Sequence, residues 1–279
     1  MDGLRKAGHE STLLARESSP LWVAALEAGF TLYPAEAKQV WQRARRVDIV
    51  HAHDARAHTI AAIASKRKFV VSRRVAFPVR RSVSSIWKYQ RAARFLAVSR
   101  FVAAELRAAG IREEKIDVVY DGVSGTTSNT EWNASHPAVA LASTDPQKGR
   151  DLVAQAAQIA NVPLVFSREL PRDLQHASMF VYITRSEGLG SAALLAMSMG
   201  VPVIASRVGG LTEVFAHEIS GIFVANETDE IGRAMRSLLD RPSFTEGLIE
   251  AAKERIRECF TQEHLVRRTV LSYGRVLGI

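Results

Sequence analysis

A single cysteine, Cys259, stands in 279 residues, which excludes a disulfide within the chain and any cysteine-based metal site. No histidine or asparagine pattern accompanies it, so Cys259 reads as a structural thiol rather than a nucleophile. Long apolar runs are missing too: no stretch reaches the length of a membrane-spanning helix, and the opening MDGLRKAGHE lacks the apolar segment of a signal peptide. A cytoplasmic protein is expected. Short-period repeats and low-complexity tracts are absent, and no strand is followed by the full glycine fingerprint of a dinucleotide site, which disfavours a dehydrogenase. Acidic residues are scarce in one place, because between Lys66 and Arg107 twelve lysines and arginines face one carboxylate, Glu105.

What is present is a globular composition, 47% hydrophobic with a net charge of +8, long enough for two domains. Short β-branched or apolar runs (STLLA, DIVHAH, FVVSRR, FLAVS, IDVVYDGV) alternate with segments of helical spacing such as RAHTIAAIASKR and SRFVAAELRAAGI. Ser99 is placed as an N-cap and Gly110 as a helix stop. The polar, aperiodic stretch from Ser124 to His136 reads as a linker. The alternation then resumes with AVALAS, VPLVFS, MFVYIT, VPVIAS and GIFVA, followed by three helical stretches. Such alternation predicts an α/β protein with parallel sheets covered on both faces. The expected division is an N-terminal Rossmann-like domain at 1–123, a linker at 124–136, a C-terminal domain at 137–260, and a final helix at 261–279 that packs back on the N-terminal domain.

Ligands of open parallel sheets sit beyond the carboxyl ends of strands, where loops become helix N-termini. The stretch RSEGLGSAALLAMSMG fits that place: a strand precedes it, Glu187 stands at the mouth of the turn, and Gly188 and Gly190 let the backbone approach a ligand. The open N–H groups of the following helix favour a phosphate. A second glycine pair in RVGGLTEVF precedes a second helix start near Thr212, and two such adjacent turns suit a diphosphate.

SEGLGSAALLAMSMGVPVIASRVGGLTEVF, with SGIFV after it, resembles the nucleotide-sugar motif of glycosyltransferase family 4, retaining enzymes of the GT-B fold. LRKAGHESTLL, DIVHAHD, RFLAVSRFVAAELRAAGIREEKIDVVYDGV and QKGRDL extend the likeness over nearly the whole chain. The resemblance implies two Rossmann-like domains facing a cleft. It gives Glu187 to the donor sugar, His53 to a sugar contact from the N-terminal domain, and Lys148 to the diphosphate. Gly188, Leu189, Gly190, Ser191, Gly209, Gly210 and Thr212 complete the implied donor site. No metal and no cofactor is expected, since the nucleotide-sugar is a substrate and helix termini with Lys148 meet the leaving charge.

The sequence also departs from that family. Its second glutamate, which binds the ribose hydroxyls, would stand eight positions after Glu187, and that position is Leu195. An arginine five residues before Lys148 is replaced by Ser143, with Arg150 nearby. The family begins with a strand and a glycine-rich loop, whereas this chain opens inside the helix that follows them. The N-terminal domain is therefore expected to lack its first, central strand, which leaves STLLA and DIVHAH without a shared neighbour. Either the two close up, or another chain covers the gap in an oligomer, or the true start lies upstream of Met1.

His51 and His53 alternate onto one strand face, and a metal there would lack a third ligand, since Asp54 points the other way. His58 and His9 read as structural or exposed. The run RRVAFPVRRSVSSIWKYQRAARF sets Arg73, Arg74, Arg80, Arg81 and Lys88 among Phe77, Trp87 and Tyr89. It suits an anionic membrane surface, an acceptor, a single-stranded nucleic acid or plain solvent; the family resemblance favours the membrane, and no nucleic acid is expected. The leading expectation is a retaining glycosyltransferase that takes a nucleotide-diphosphate sugar to a glycan or lipid-linked acceptor. It would act in bacterial envelope polysaccharide synthesis, in the cytoplasm or on the inner face of the membrane. The alternative is a catalytically degenerate GT-B protein acting as a binding or scaffold partner, favoured by Leu195 and Ser143.

Overall fold

Every strand pairing among the described residues is parallel, as short buried strands separated by helices require. The computed structural model describes residues 1–79, 82–124 and 131–279. It divides into two compact units, Met1–Val98 with Val102–Val119 and Leu265–Ile279, and Ser99–Phe101 with Tyr120–His264. The chain thus joins the second unit at Tyr120, ahead of the stretch read as a linker. Residues 125–130 of that stretch lie outside the described part, and Trp132 donates its indole N–H to Ser178 O at 2.7 Å.

The first unit runs α1 (Asp2–Lys6), β1 (Thr12–Ala15), α2 (Pro20–Glu27), β2 (Thr31–Pro34), α3 (Ala37–Arg43), β3 (Val50–Ala52), α4 (Ala55–Ala64), β4 (Phe69–Arg73), α5 (Val83–Arg91), β5 (Arg94–Ala97), α6 (Arg100–Ala108, whose first two residues belong to the second unit) and β6 (Ile116–Val118). The strands β3, β4, β5 and β6 form one sheet in chain order, and β1 pairs with β2 in a second. STLLA and DIVHAH do not close up: β1 has β2 as its partner and β3 has β4, and among the described residues no strand lies on the other edge of either. The β2 strand, TLYP, escaped the sequence pattern because it is four residues long and ends in proline.

Asp117 on β6 ties the last helix to this unit. Its carboxylate takes two contacts at 3.1 Å from Arg94 and further hydrogen bonds from Ser272 and Arg275.

His58, buried on α4, faces the rings of Phe69, Tyr89 and Phe95, and Nε2 lies 3.1 Å from Lys88 O. Burial, followed by the charge of Lys88, lowers its pKa from 6.5 to about 4. Above the unfolded value both states are neutral and stability is complete. As pH falls below it, the unfolded chain takes up a proton that the folded chain refuses, until the folded pKa is reached. That gap corresponds to about 3 kcal/mol. Thermal melts taken from neutral pH down to about 4 should show the loss, and His58→Gln should flatten it; an equal slope in the variant would assign the acid sensitivity elsewhere.

The second unit holds β7 (Ala138–Leu141), α7 (Arg150–Ile159), β8 (Leu164–Ser167), α8 (Leu170–Asp173), β9 (Met179–Tyr182), α9 (Ser191–Ser198), β10 (Val203–Ser206), β11 (Ile222–Val224), α10 (Thr228–Asp240) and α11 (Pro242–Cys259); α12 (Gln262–Leu277) leaves it for the first. Its sheet order is β11-β10-β9-β7-β8. All residues of β9 and β10 are buried, as inner strands covered on both faces demand. The core packs Val153 and Ala156 of α7 and Ile231 and Met235 of α10 with Met179, Val181 and Ile204 of those strands. The order in which the chain adds strands to this sheet reverses between β7 and β9. Loops that leave those two neighbouring strands part there and open a crevice at their carboxyl ends.

Candidate functional site

The two loops that part at this reversal carry Lys148 and Glu187. After β7 a short 3-10 turn, Pro146–Lys148, is capped by the Asp145 side chain, which accepts from Gln147 N at 2.9 Å. This turn places Lys148 Nζ 3.0 Å from Glu187 Oε2. Tyr182, the last residue of β9, donates its hydroxyl to the same oxygen, and Gly188 N donates to Oε1 at 3.0 Å. Both carboxylate oxygens are therefore held. Burial, then the charge of Glu187, pushes the Tyr182 phenol up, so it stays a donor at neutral pH.

The turn after β9 ends at Gly190, whose φ of 105° belongs to the left-handed region, and α9 starts at Ser191. Among the described residues no acceptor is found for the N–H groups of Leu189, Gly190, Ser191 and Ala192. An anion could take these four donors. Three expectations need correction here. Gly188 N–H is spent on Glu187 and Gly210 N–H on Glu187 O at 3.0 Å, so neither is open to a ligand. The pair Gly209 and Gly210 serves the packing of one loop on the other: a Cβ on Gly209 would meet Glu187 O at 2.3 Å, and one on Gly210 would meet Gly188 O at 1.9 Å. The second helix start expected near Thr212 is a 3-10 turn over Gly209–Glu213, and the Thr212 hydroxyl donates to Gly209 O at 2.8 Å.

Further hydrogen bonds hold the loops. Thr184 N donates to Ser206 Oγ at 2.8 Å, that hydroxyl donates to Asn226, and Asn226 Nδ2 returns to Thr184 O at 3.1 Å. This ring joins the ends of β9, β10 and β11. The Ser191 hydroxyl donates to Asp121 at 2.6 Å. The Ser99 hydroxyl donates to Gly188 O at 2.6 Å, while Arg100 N and Phe101 N both donate to Glu213 at 2.8 Å. Tyr182 was findable, because the final residue of a strand leading into a ligand loop projects at the ligand end. Glu213 was not, since 113 positions separate it from Arg100.

Leu195 is partly exposed on α9 beside the fully buried Leu194, so it does not pack wholly into the core. Ser143 Oγ accepts from Asp145 N at 3.2 Å, and the Arg150 guanidinium lies over the Phe166 ring at 4.5 Å.

In the first unit, His51 and His53 share a strand face with ring centroids 3.9 Å apart. His51 Nδ1 lies 2.7 Å from the Tyr273 hydroxyl and Nε2 lies 2.8 Å from Ser72 Oγ; burial, then His53 and Arg74, hold its pKa well below the ordinary value. His53, at the end of β3, is lowered by the protein around it, then by Arg74 and the amino terminus, against Asp54. Among the described residues no group of three histidine, cysteine, aspartate or glutamate side chains is arranged to hold a metal. His58 is buried and His9 exposed. The basic residues divide. Arg73 turns inward, to Tyr89 OH at 2.8 Å and to Phe77 O, and Lys88 reaches Thr59 Oγ1 at 3.3 Å. Arg74 and Trp87 face outward, and Arg80 and Arg81 lie outside the described residues. Among the described residues no helix is long and apolar enough to cross a membrane.

Two family models match the chain, Glycosyltransferase Family 4 over residues 1–125 and Glycosyl transferases group 1 over residues 137–255. A D-inositol 3-phosphate glycosyltransferase of Nocardioides is 33% identical over 115 residues, 41% of this chain and 25% of that protein, so the match spans about a quarter of the relative. Among solved structures, a glycosyltransferase of Rickettsia africae superposes with a TM-score of 0.81 at 16% identity, over 98% of this chain and 92% of that one. Anabaena HepE, solved with UDP and glucose, gives 0.78 at 16% identity, over 91% and 88%.

Proposed function

The chain belongs to glycosyltransferase family 4 and has the GT-B fold, and from this we propose that it moves a sugar from a nucleotide-diphosphate donor to a glycan or lipid-linked acceptor with retention at the anomeric carbon. The observation that carries the reading is the arrangement at the sheet reversal of the second unit. A carboxylate and an ammonium lie 3.0 Å apart beside four open N–H groups at the start of α9.

In this reading the donor diphosphate lies against those N–H groups and Lys148, which meet the charge that grows on the departing phosphate oxygen. The acceptor hydroxyl oxygen bonds to the anomeric carbon as the bond from that carbon to the phosphate oxygen breaks. The hydroxyl proton passes to the released nucleoside diphosphate. Glu187, fixed by Tyr182 and Gly188 N, orients the donor sugar, and no covalent sugar intermediate on the protein is invoked. Synthesis of a bacterial envelope polysaccharide is the setting that the family resemblance supports.

A second reading, a protein that keeps the fold and serves as a binding partner, is favoured by one observation: α9 presents the partly exposed Leu195 where a ribose-binding carboxylate would stand. Leu195→Glu separates the two. A charged hydrogen bond to the ribose is worth about 1.5–3 kcal/mol, so UDP or GDP affinity should rise about ten- to a hundredfold in the variant if the pocket is intact. No gain, together with no nucleoside diphosphate released from a panel of nucleotide-sugars, would favour the binding partner.

A further inference from the structure

A second recess of the second unit adjoins the turn that packs on the Glu187 loop. In the 3-10 turn Gly209–Glu213, the two glycines approach that loop, while Thr212 and Glu213 line a groove of about 810 Å³. Glu254, Arg255 and Glu258, on one face of α11, form another wall. Phe215 and Phe223 line it as a stacked pair, with centroids 4.2 Å apart and planes at 18°. All the lining residues belong to the second unit, and the volume is that of a small-molecule site. The charges along the groove divide into spent and open ones. Glu213 is saturated, since Arg100 N and Phe101 N donate to it at 2.8 Å and the Tyr120 hydroxyl at 2.9 Å. Arg255 donates to Glu213 O at 3.1 Å, and Glu254 holds Arg257. Among the described residues, the guanidiniums of Arg100 and Arg207 and the carboxylate of Glu258 have no hydrogen-bond or ion-pair partner; Arg207 stands 6.0 Å from the Phe223 ring.

We propose that this groove binds a sugar phosphate, free or as part of a nucleotide. Two open guanidiniums on one groove suit a phosphate monoester, which carries nearly two negative charges at neutral pH and accepts several charge-assisted hydrogen bonds. Glu258 repels a phosphate, so it serves the other end of the ligand, where its carboxylate accepts from ring hydroxyls. The half-buried Phe223 ring offers the apolar face of a sugar a surface to cover. Inorganic phosphate would use the two arginines and leave Phe223 and Glu258 idle. This site does not depend on the donor reading, since it uses neither Lys148, nor Glu187, nor the open N–H groups at the start of α9.

Calorimetric titration of the full chain with glucose 6-phosphate, AMP and inorganic phosphate, all at one ionic strength, tests the proposal. At least one of the two sugar phosphates should bind saturably, one per chain, with a Kd below about 1 mM, and inorganic phosphate at least about tenfold more weakly. Binding of AMP alone would identify a nucleotide as the source, and binding of glucose 6-phosphate alone a free sugar phosphate. Arg100→Ala and Arg207→Ala should each weaken the sugar phosphate about ten- to a hundredfold at an unchanged melting temperature, because neither guanidinium bonds to the protein. Glu258→Ala should weaken it about tenfold without weakening inorganic phosphate. Lys148→Ala should bind it as the wild type does. Absence of saturable binding of both sugar phosphates by a folded chain would overturn the proposal, as would unchanged affinity in both arginine variants. Equal affinity for inorganic phosphate would reduce the groove to an adventitious anion site. A loss in Lys148→Ala as large as that in the arginine variants would move the ligand to the sheet reversal and overturn the assignment.

Discussion

Replacing Gly210 with alanine should lower the melting temperature by about 10 °C and weaken nucleotide binding by at least about tenfold. The new Cβ would sit 1.9 Å from Gly188 O, 2.6 Å from Gly188 C and 2.9 Å from Leu189 Cα. All three are backbone atoms, so no flexible side chain can move aside. The second loop must lift off the first. That movement breaks the Gly210 N–H bond to Glu187 O and disturbs the turn that carries Glu187 and the open N–H groups. Overpacking of this kind costs about 3 kcal/mol. Gly247 is the control, because it lies in α11 where an added Cβ would meet nothing within 4 Å, and its φ is not positive. Gly247→Ala should leave binding untouched and stabilise by about 0.5 kcal/mol. Equal melting temperatures for the two variants would mean that the loops yield more easily than their close approach implies.

Lys148→Ala should separate ligand binding from stability in the opposite sense. The ammonium and Glu187 are partly exposed, so the ion pair itself is worth no more than about 1 kcal/mol to the fold. Glu187 also keeps Tyr182 and Gly188 N when the lysine is removed. The melting temperature should therefore move little. A bound diphosphate, however, would lose a charge-assisted hydrogen bond worth about 1.5–3 kcal/mol, and affinity for the matching nucleoside diphosphate should fall about ten- to a hundredfold. Lys148→Arg keeps the charge and should lose less. Unchanged affinity in Lys148→Ala would remove this residue from the site.

The alternation of strands and helices was legible because the inner strands of the second unit are short unbroken apolar runs and helices such as α6, α7 and α10 carry an apolar stripe. MFVYIT and VPVIAS mark β9 and β10, the strands beside the reversal, and Glu187 could be placed from the turn that follows β9. Lys148 could be placed from the lysine-glycine turn. Their mutual distance could not, because it depends on β7 and β9 becoming neighbours although β8 lies between them in the chain. The glycine pairs were read as room for a ligand, whereas Gly209 and Gly210 make room for the neighbouring loop. A glycine shows that something comes close without showing what. In the basic run, charge alone did not distinguish Arg73, held by Tyr89, from Arg74, which faces outward. Burial decided that.

The central claim, a donor site at the sheet reversal of the second unit, is tested most directly by calorimetric titration of the wild-type chain with UDP, GDP and ADP. Saturable binding of one of the three, at one site per chain, is the predicted result and would identify the donor class. Absence of heat with all three, from a chain whose melting transition shows it folded, would contradict the claim and leave the fold serving as a scaffold.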